Sequence, residues 1–182
     1  HISFTLSHQN KLVFKTNGNG NLLEVIATIY GLQVAKNMIE VKFGDDEFEV
    51  SGYISKIDLS RSSKNYMMTL VNHRVVKNTL TLDVINEVYR PYLAYDRYPL
   101  AFVNINVDPF LVDVNVHPAK TEVRFSDEKR IFTAVHYAVK SALASGDTRP
   151  EILPTAQKKP FFMHMDAAEY RQTSVAFEEK QT

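Results

Sequence analysis

Residues 103 to 116 alternate apolar and polar side chains on both sides of a single turn. Val103, Ile105 and Val107 lead up to Asp108-Pro109-Phe110, and Val112, Val114 and Val116 lead away from it. Successive side chains of a strand point to opposite faces, so a period of two belongs to strands that bury one face only. Pro118 has no amide hydrogen to give a ladder, so the second strand ends there and residues 117–121 leave the sheet. They carry Lys120 with them, and Glu122 and Arg124 follow. A chain built around this stretch needs a sheet with one covered face, and other segments to cover it.

Several other segments share the period. Ile2, Phe4 and Leu6 alternate with Ser3, Thr5 and Ser7, and Leu12 and Phe14 follow a polar turn at Gln9-Asn10, which predicts a hairpin. Val41 and Phe43, the turn Gly44-Asp45-Asp46, and Phe48 and Val50 predict a second hairpin, its return strand continuing through Gly52-Tyr53-Ile54. The polar loop Ser60–Lys64 leads into Tyr66–Val71, a further strand.

Helical stripes lie between these strands. Leu22, Val25, Ile26 and Ile29 follow the cap Asn21, with Glu24 at the capping-box position and Gly31 past the end. Ile85, Val88, Tyr89 and Tyr92 form a second stripe ending near Pro91. Ser126 is placed to cap a third helix, with Asp127 and Glu128 at its positive end and Ile131, Val135, Ala138 and Ala142 facing a core. After Ala144-Ser145-Gly146 prolines interrupt the chain and the apolar residues lose any period. Strands with interspersed helices make an α+β body over residues 1–144, and residues 145–182 read as an irregular interdomain linker in which Phe161-Phe162-Met163 is a docking candidate. The chain enters its first strand at once, as a piece of a longer protein would.

Composition removes several classes of function. Twenty-one basic and 21 acidic residues cancel, so attraction to nucleic acid must come from a local patch. Without cysteine there are no disulfides and no thiolate metal sites. No apolar run approaches the roughly 18 residues that a membrane helix needs. Ser, His and Asp occur, but no GxSxG elbow presents a nucleophile. Asp113 and His117 form at most a distant hydrolase candidate, and His164 beside two methionines lies in the expected linker. The loop Asn17–Asn21 lacks the lysine of a Walker motif. No catalytic residue is assigned to this chain.

Two features remain. From Arg61 to Leu82 every formal charge is positive, namely Arg61, Lys64, Arg74 and Lys77, and the next acid is Asp83. A solvated face and a phosphate-contacting patch both fit this run; Arg74 and Lys77 fall near a turn and a helix start, where backbone donors add to the charge. Lys120 is open in the same way: a solvated side chain, or a point charge on a flexible stem suited to a terminal phosphate.

The segment Val112–Phe125, VDVNVHPAKTEVRF, resembles the signature of the MutL family of DNA mismatch-repair proteins. Thr16–Gly20 through Ile29–Gly31 is similar to that family's junction, and Val71–Asn78 to its strand-turn-helix element; the likeness covers about residues 1–143. It implies a transducer domain with a ribosomal-S5-like fold, a mixed sheet with helices packed on one face. In such proteins that domain follows a GHKL-type ATPase domain holding ATP and Mg. The Glu-x-x-x-Asn helix and Asp-x-Gly-x-Gly loop of that ATPase are absent here, so the chain is not expected to be an enzyme or to bind a cofactor by itself.

Carried onto this sequence, the resemblance makes Lys120 the contact to the γ-phosphate in the adjoining domain. It places Arg74 in a DNA-contacting region, with Lys77, Arg61 and Lys64 as weaker counterparts. The implied partners are DNA, the adjoining ATPase domain, a MutS-type mismatch-recognition protein and a second copy in the full-length homodimer, with no membrane; the implied location is the cytoplasm, at the bacterial nucleoid. One departure puts the local turn in question, because His73 stands where the family has glycine in an Asn-Gly-Arg turn. Two other classes compete: an S5-like RNA-binding module, for which aromatics among the basic residues would speak and only Tyr66 does, and the transducer of a related topoisomerase-type ATPase.

Overall fold

The computed structural model describes residues 2–44, 47–113 and 122–146. These fall into two compact units, one within residues 1–35 and one within 36–151. The expected linker, apart from Ser145 and Gly146, lies outside the described residues, as do Lys120, His117 and His164.

The first unit opens with a hairpin of β1 (Thr5–His8) and β2 (Lys11–Lys15). Gln9 and Asn10, at φ 48° and 57°, form its turn, the double left-handed geometry that matches strand twist. Helices α1 (Leu22–Tyr30) and α2 (Leu32–Lys36) follow. Asn21 caps α1 as expected, its Oδ1 accepting from Glu24 N at 3.2 Å. The reciprocal half of a capping box is replaced: the Glu24 carboxylate accepts from the side-chain amides of Asn17 (3.3 Å) and Asn19 (2.8 Å), while Asn21 N donates to Asn19 Oδ1.

The second unit is a mixed five-stranded sheet with two helices on one face. Its strands are β3 (Met38–Gly44), β4 (Phe48–Ser55), β6 (Met67–Val71), β7 (Arg74–Val76) and β9 (Ala101–Val107). Two short pairs flank the sheet: β5 (Ser60–Arg61) with β8 (Tyr98–Pro99), and β10 (Val112–Asp113) with β11 (Arg124–Phe125). The order is β3-β4-β9-β6-β7, antiparallel throughout except for the parallel β6–β9 pair. That pair requires a crossover, which α3 (Thr79–Tyr89) supplies. The last helix is α4 (Glu128–Ser145).

Register assembles the core. Val50, Ile105 and Val71 align across three strands, and Ile54, Ala101 and Met67 align two layers away, beyond Gly52, Val103 and Thr69. This face is covered by α3 and α4, with Val84, Ile85 and Val88 from one and Ile131, Val135, Val139 and Ala142 from the other. Tyr89 joins them, and its hydroxyl donates to the Ser55 carbonyl. The α+β, S5-like arrangement expected from the sequence is the one observed.

Three details differ from the expectation. The cap of α4 is Asp127, whose Oδ1 accepts from Arg130 N at 3.0 Å, and Ser126 lies one residue outside. Tyr92 falls beyond the end of α3 and is 58% exposed, because the helix closes at Arg90. Asn104, at an alternating polar position, is only 8% exposed.

Candidate nucleic-acid interface

The candidate interface is built outward from β6. At its end Asn72 and His73 take φ 49° and 65°, so both central residues of the β6–β7 turn are left-handed. Such a turn suits a twisted hairpin, and His is among the non-glycine residues that tolerate this region. The turn put in question by His73 therefore forms, and tertiary bonds show why. Asn72 extends the parallel ladder past Val71: its N donates to Ile105 O at 2.9 Å, its Nδ2 to Val107 O at 3.0 Å, and its Oδ1 accepts from Val107 N at 2.9 Å.

His73 N donates to Oδ1 of Asn104 at 3.0 Å. Asn104 in turn donates to Asn106 Oδ1 (2.8 Å), and Asn106 to Glu49 Oε2 (3.2 Å). A chain of carboxamides thus crosses β9 to β4 and holds the turn from the middle of the sheet.

Arg74 follows this anchored turn and is exposed. On the outer edge Thr69 Oγ1 donates to Val76 O at 2.9 Å. Just beyond, Asn78 caps α3 by accepting from Thr81 N (2.8 Å) and Thr81 Oγ1 (3.0 Å). Lys77 sits between these two fixed points and is also exposed. Among the described residues neither Arg74 nor Lys77 forms an ion pair.

Arg61 and Lys64 precede the other end of β6, a strand of 5 residues that spans about 13 Å at the usual rise. Both are held over rings: the Arg61 guanidinium is 5.7 Å from the Tyr66 centroid and the Lys64 ammonium 5.2 Å from that of Tyr98. The four cations therefore fall toward the two ends of β6 rather than meeting at a point. Sequence reading missed Tyr98, and it missed that Asp83 and Glu87 share a cavity with Lys64.

The five-stranded mixed sheet, covered on one face by two helices, defines this as an α+β domain of the S5-like class. A crystal structure described as the N terminal domain of a DNA repair protein shares that fold with a TM-score of 0.66, at 24% identity, over 79% of this chain and 48% of that one. The family described as "DNA mismatch repair protein, C-terminal domain" matches residues 26–144, and the chain belongs to that family, its domain being of the MutL type. The DNA mismatch repair protein MutL of Anoxybacillus flavithermus is 44% identical over 152 residues, 84% of this chain and 25% of that protein. That of Streptococcus uberis is 40% identical over 174 residues, 96% of this chain and 26% of that protein. The chain thus spans about a quarter of the length of these relatives.

Proposed function

We propose that this chain works in DNA mismatch repair as a transducer, coupling ATP binding in an adjoining GHKL-type ATPase domain to DNA contact and closure of a homodimer. In this reading DNA and a MutS-type mismatch-recognition protein are partners of the whole assembly, and Lys120 meets the γ-phosphate held by the neighbouring domain. Catalysis belongs to that neighbour. The observation that carries the reading is the Arg74–Lys77 edge: two exposed cations, without ion pairs among the described residues, on backbone pinned at both ends. Pinned cations meet phosphates at low ordering cost but read no sequence, so the contact is electrostatic and salt-sensitive.

Duplex binding by the chain, measured against salt, tests this. Four phosphate contacts give a slope of log affinity on log salt of about −3.6, and the pair Arg74→Glu with Lys77→Glu should remove about half of it or more. Affinity and slope that survive both changes would make the edge an ordinary solvated face.

A further inference from the structure

Strand β3 (Met38–Gly44) closes one end of the five-stranded sheet, and among the described residues no other strand pairs with its outer side. We infer that this border pairs with the same border of a second copy, antiparallel about a two-fold axis at Val41, so that two sheets run on as one. The contact is separate from the Arg74–Lys77 edge and rests on none of the DNA or nucleotide contacts proposed above.

Length and alternation come first. All seven residues of β3 stand in unbroken register with β4, with no bulge to turn the border away. Ile39 and Val41 are buried and Phe43 half-buried on the helix-covered face, while Glu40 and Lys42 are exposed on the other. An edge of this length offers a partner a row of backbone N–H and C=O groups.

Charge then chooses the partner and the register. A lone lysine on an edge strand repels its own counterpart, which keeps such borders single. Here Glu40 and Lys42 stand two residues apart on one face, and neither forms an ion pair among the described residues. With Val41 opposite Val41 across the axis, Glu40 of each copy faces Lys42 of the other, and the pair occurs twice. A register centred on Glu40 sets glutamate against glutamate, and one centred on Lys42 sets lysine against lysine. A slip of one residue turns one copy over and puts its charged side chains on the face that its neighbour covers with helices. The register at Val41 is thus matched in charge and in face, and it is matched to itself, which fits a second copy of this strand.

The apolar side agrees. The same register sets Ile39 of one copy opposite Phe43 of the other. The Phe43 ring lies 5.0 Å from that of Tyr137 on α4 and 6.4 Å from that of Phe48, and Tyr137 is 58% exposed. An axis perpendicular to the sheet leaves α4 of both copies on one side, so the joint gives the open flank of this aromatic pair a neighbour. One strand and a few side chains fall below the ordinary size of a stable interface, so the dimer is weak and exchanges readily.

Sedimentation velocity of the 182-residue chain at rising concentration should show a monomer–dimer equilibrium. Glu40→Lys or Lys42→Glu alone turns both cross-strand pairs from attraction to repulsion and should weaken the dimer about tenfold or more; the two together should restore it. Val75→Lys, on the opposite border of the sheet, should leave it unchanged. Because the chain has no cysteine, disulfides can read the register. Under oxidation, a mixture of Glu40→Cys and Lys42→Cys chains should cross-link as mixed dimers, since directly opposite residues lie within disulfide reach. Each variant alone should not, because diagonal residues are about 7–8 Å apart. A chain that stays monomeric up to about 1 mM, the weak end of the affinity scale, overturns the inference. So does a dimer that ignores both single reversals, that is lost with Val75→Lys, or whose single cysteine variants cross-link as well as the mixture.

Discussion

Gly52 lies in β4 between Val50 and Ile54, opposite Val103 of the central strand β9, at φ 138°. A Cβ built there would sit 2.0 Å from Phe102 O and 3.0 Å from Phe102 C. Carbon does not approach a carbonyl oxygen that closely, so Gly52→Ala must drive β4 and β9 apart by about 1 Å or rotate the peptide. Two costs combine. A non-glycine residue in that region of φ costs about 1–3 kcal/mol, and the overpacking about 1–3 kcal/mol more. The sum, about 2–6 kcal/mol, is a large part of the roughly 5–15 kcal/mol by which domains are stable. At about 4 °C per kcal/mol for a domain of this size, Tm should fall by about 8–24 °C. Thermal unfolding followed by circular dichroism and calorimetry reads this directly. A fall under about 4 °C would mean that the two strands have room to spare at Gly52, and the close approach would be refuted.

Two further outcomes follow from other parts of the molecule. Burial pushes the Tyr89 phenol well above its usual value against the weaker lowering effect of its bond to Ser55, and burial with the charge of Glu40 raises Tyr53. The native state keeps these protons where the unfolded chain loses them. Their contribution is therefore intact below about pH 10 and fades as pH rises through the folded-state values, by up to about 1.36 kcal/mol per unit for Tyr89. Tyr89→Phe should flatten that alkaline loss in urea titrations at several pH values, at a neutral-pH cost of about 1 kcal/mol, and an unchanged slope would contradict it. For Lys120, the proposed γ-phosphate contact predicts that Lys120→Ala, in a protein containing the ATPase domain, lowers ATP turnover about ten- to a hundredfold with ADP affinity unchanged. Equal loss of ADP affinity would remove the γ-phosphate from the explanation.

Where a strand or helix buries one face over several residues, its period could be read. The β3–β4 hairpin, β9 and α4 were visible for that reason, through Val41, Val50, Ile105 and Val135 and their neighbours; α1 was visible through its Asn21 cap, but it buries Leu23, Ile26 and Ala27 rather than the expected stripe of Leu22, Val25, Ile26 and Ile29. The five-residue α2 is too short to show a period, and neither the order of strands nor the parallel β6–β9 pair has any local signature. Alternation placed Asn104 among polar outward positions; it is buried because it sits on the central strand and serves the Asn72–His73 turn. The same bond explains why histidine is accepted at a glycine-like position, which no window around His73 reveals. The cations Arg61, Lys64, Arg74 and Lys77 were legible as a run, but the cavity that Lys64 shares with α3 and the loop after it was not. It joins Lys64 to residues 83–98, and the β5–β8 pair, the Arg97–Ser60 bonds and the Lys64 ammonium over the Tyr98 ring bring them together.

The strand that carries Arg74 is also the last in the sheet, three residues long with Val75 56% exposed. An unpaired strand border is a template on which another copy can dock its own backbone, and short length and flanking charge are the usual defences. Arg74 and Lys77 bracket Val75, so two such borders brought together would set like charges against each other. Alanine at both positions would leave a neutral, valine-bearing border open to self-association, whereas glutamate at both would keep the mutual repulsion with its sign reversed. The residues proposed to meet phosphate would thus also keep like borders of the protein apart.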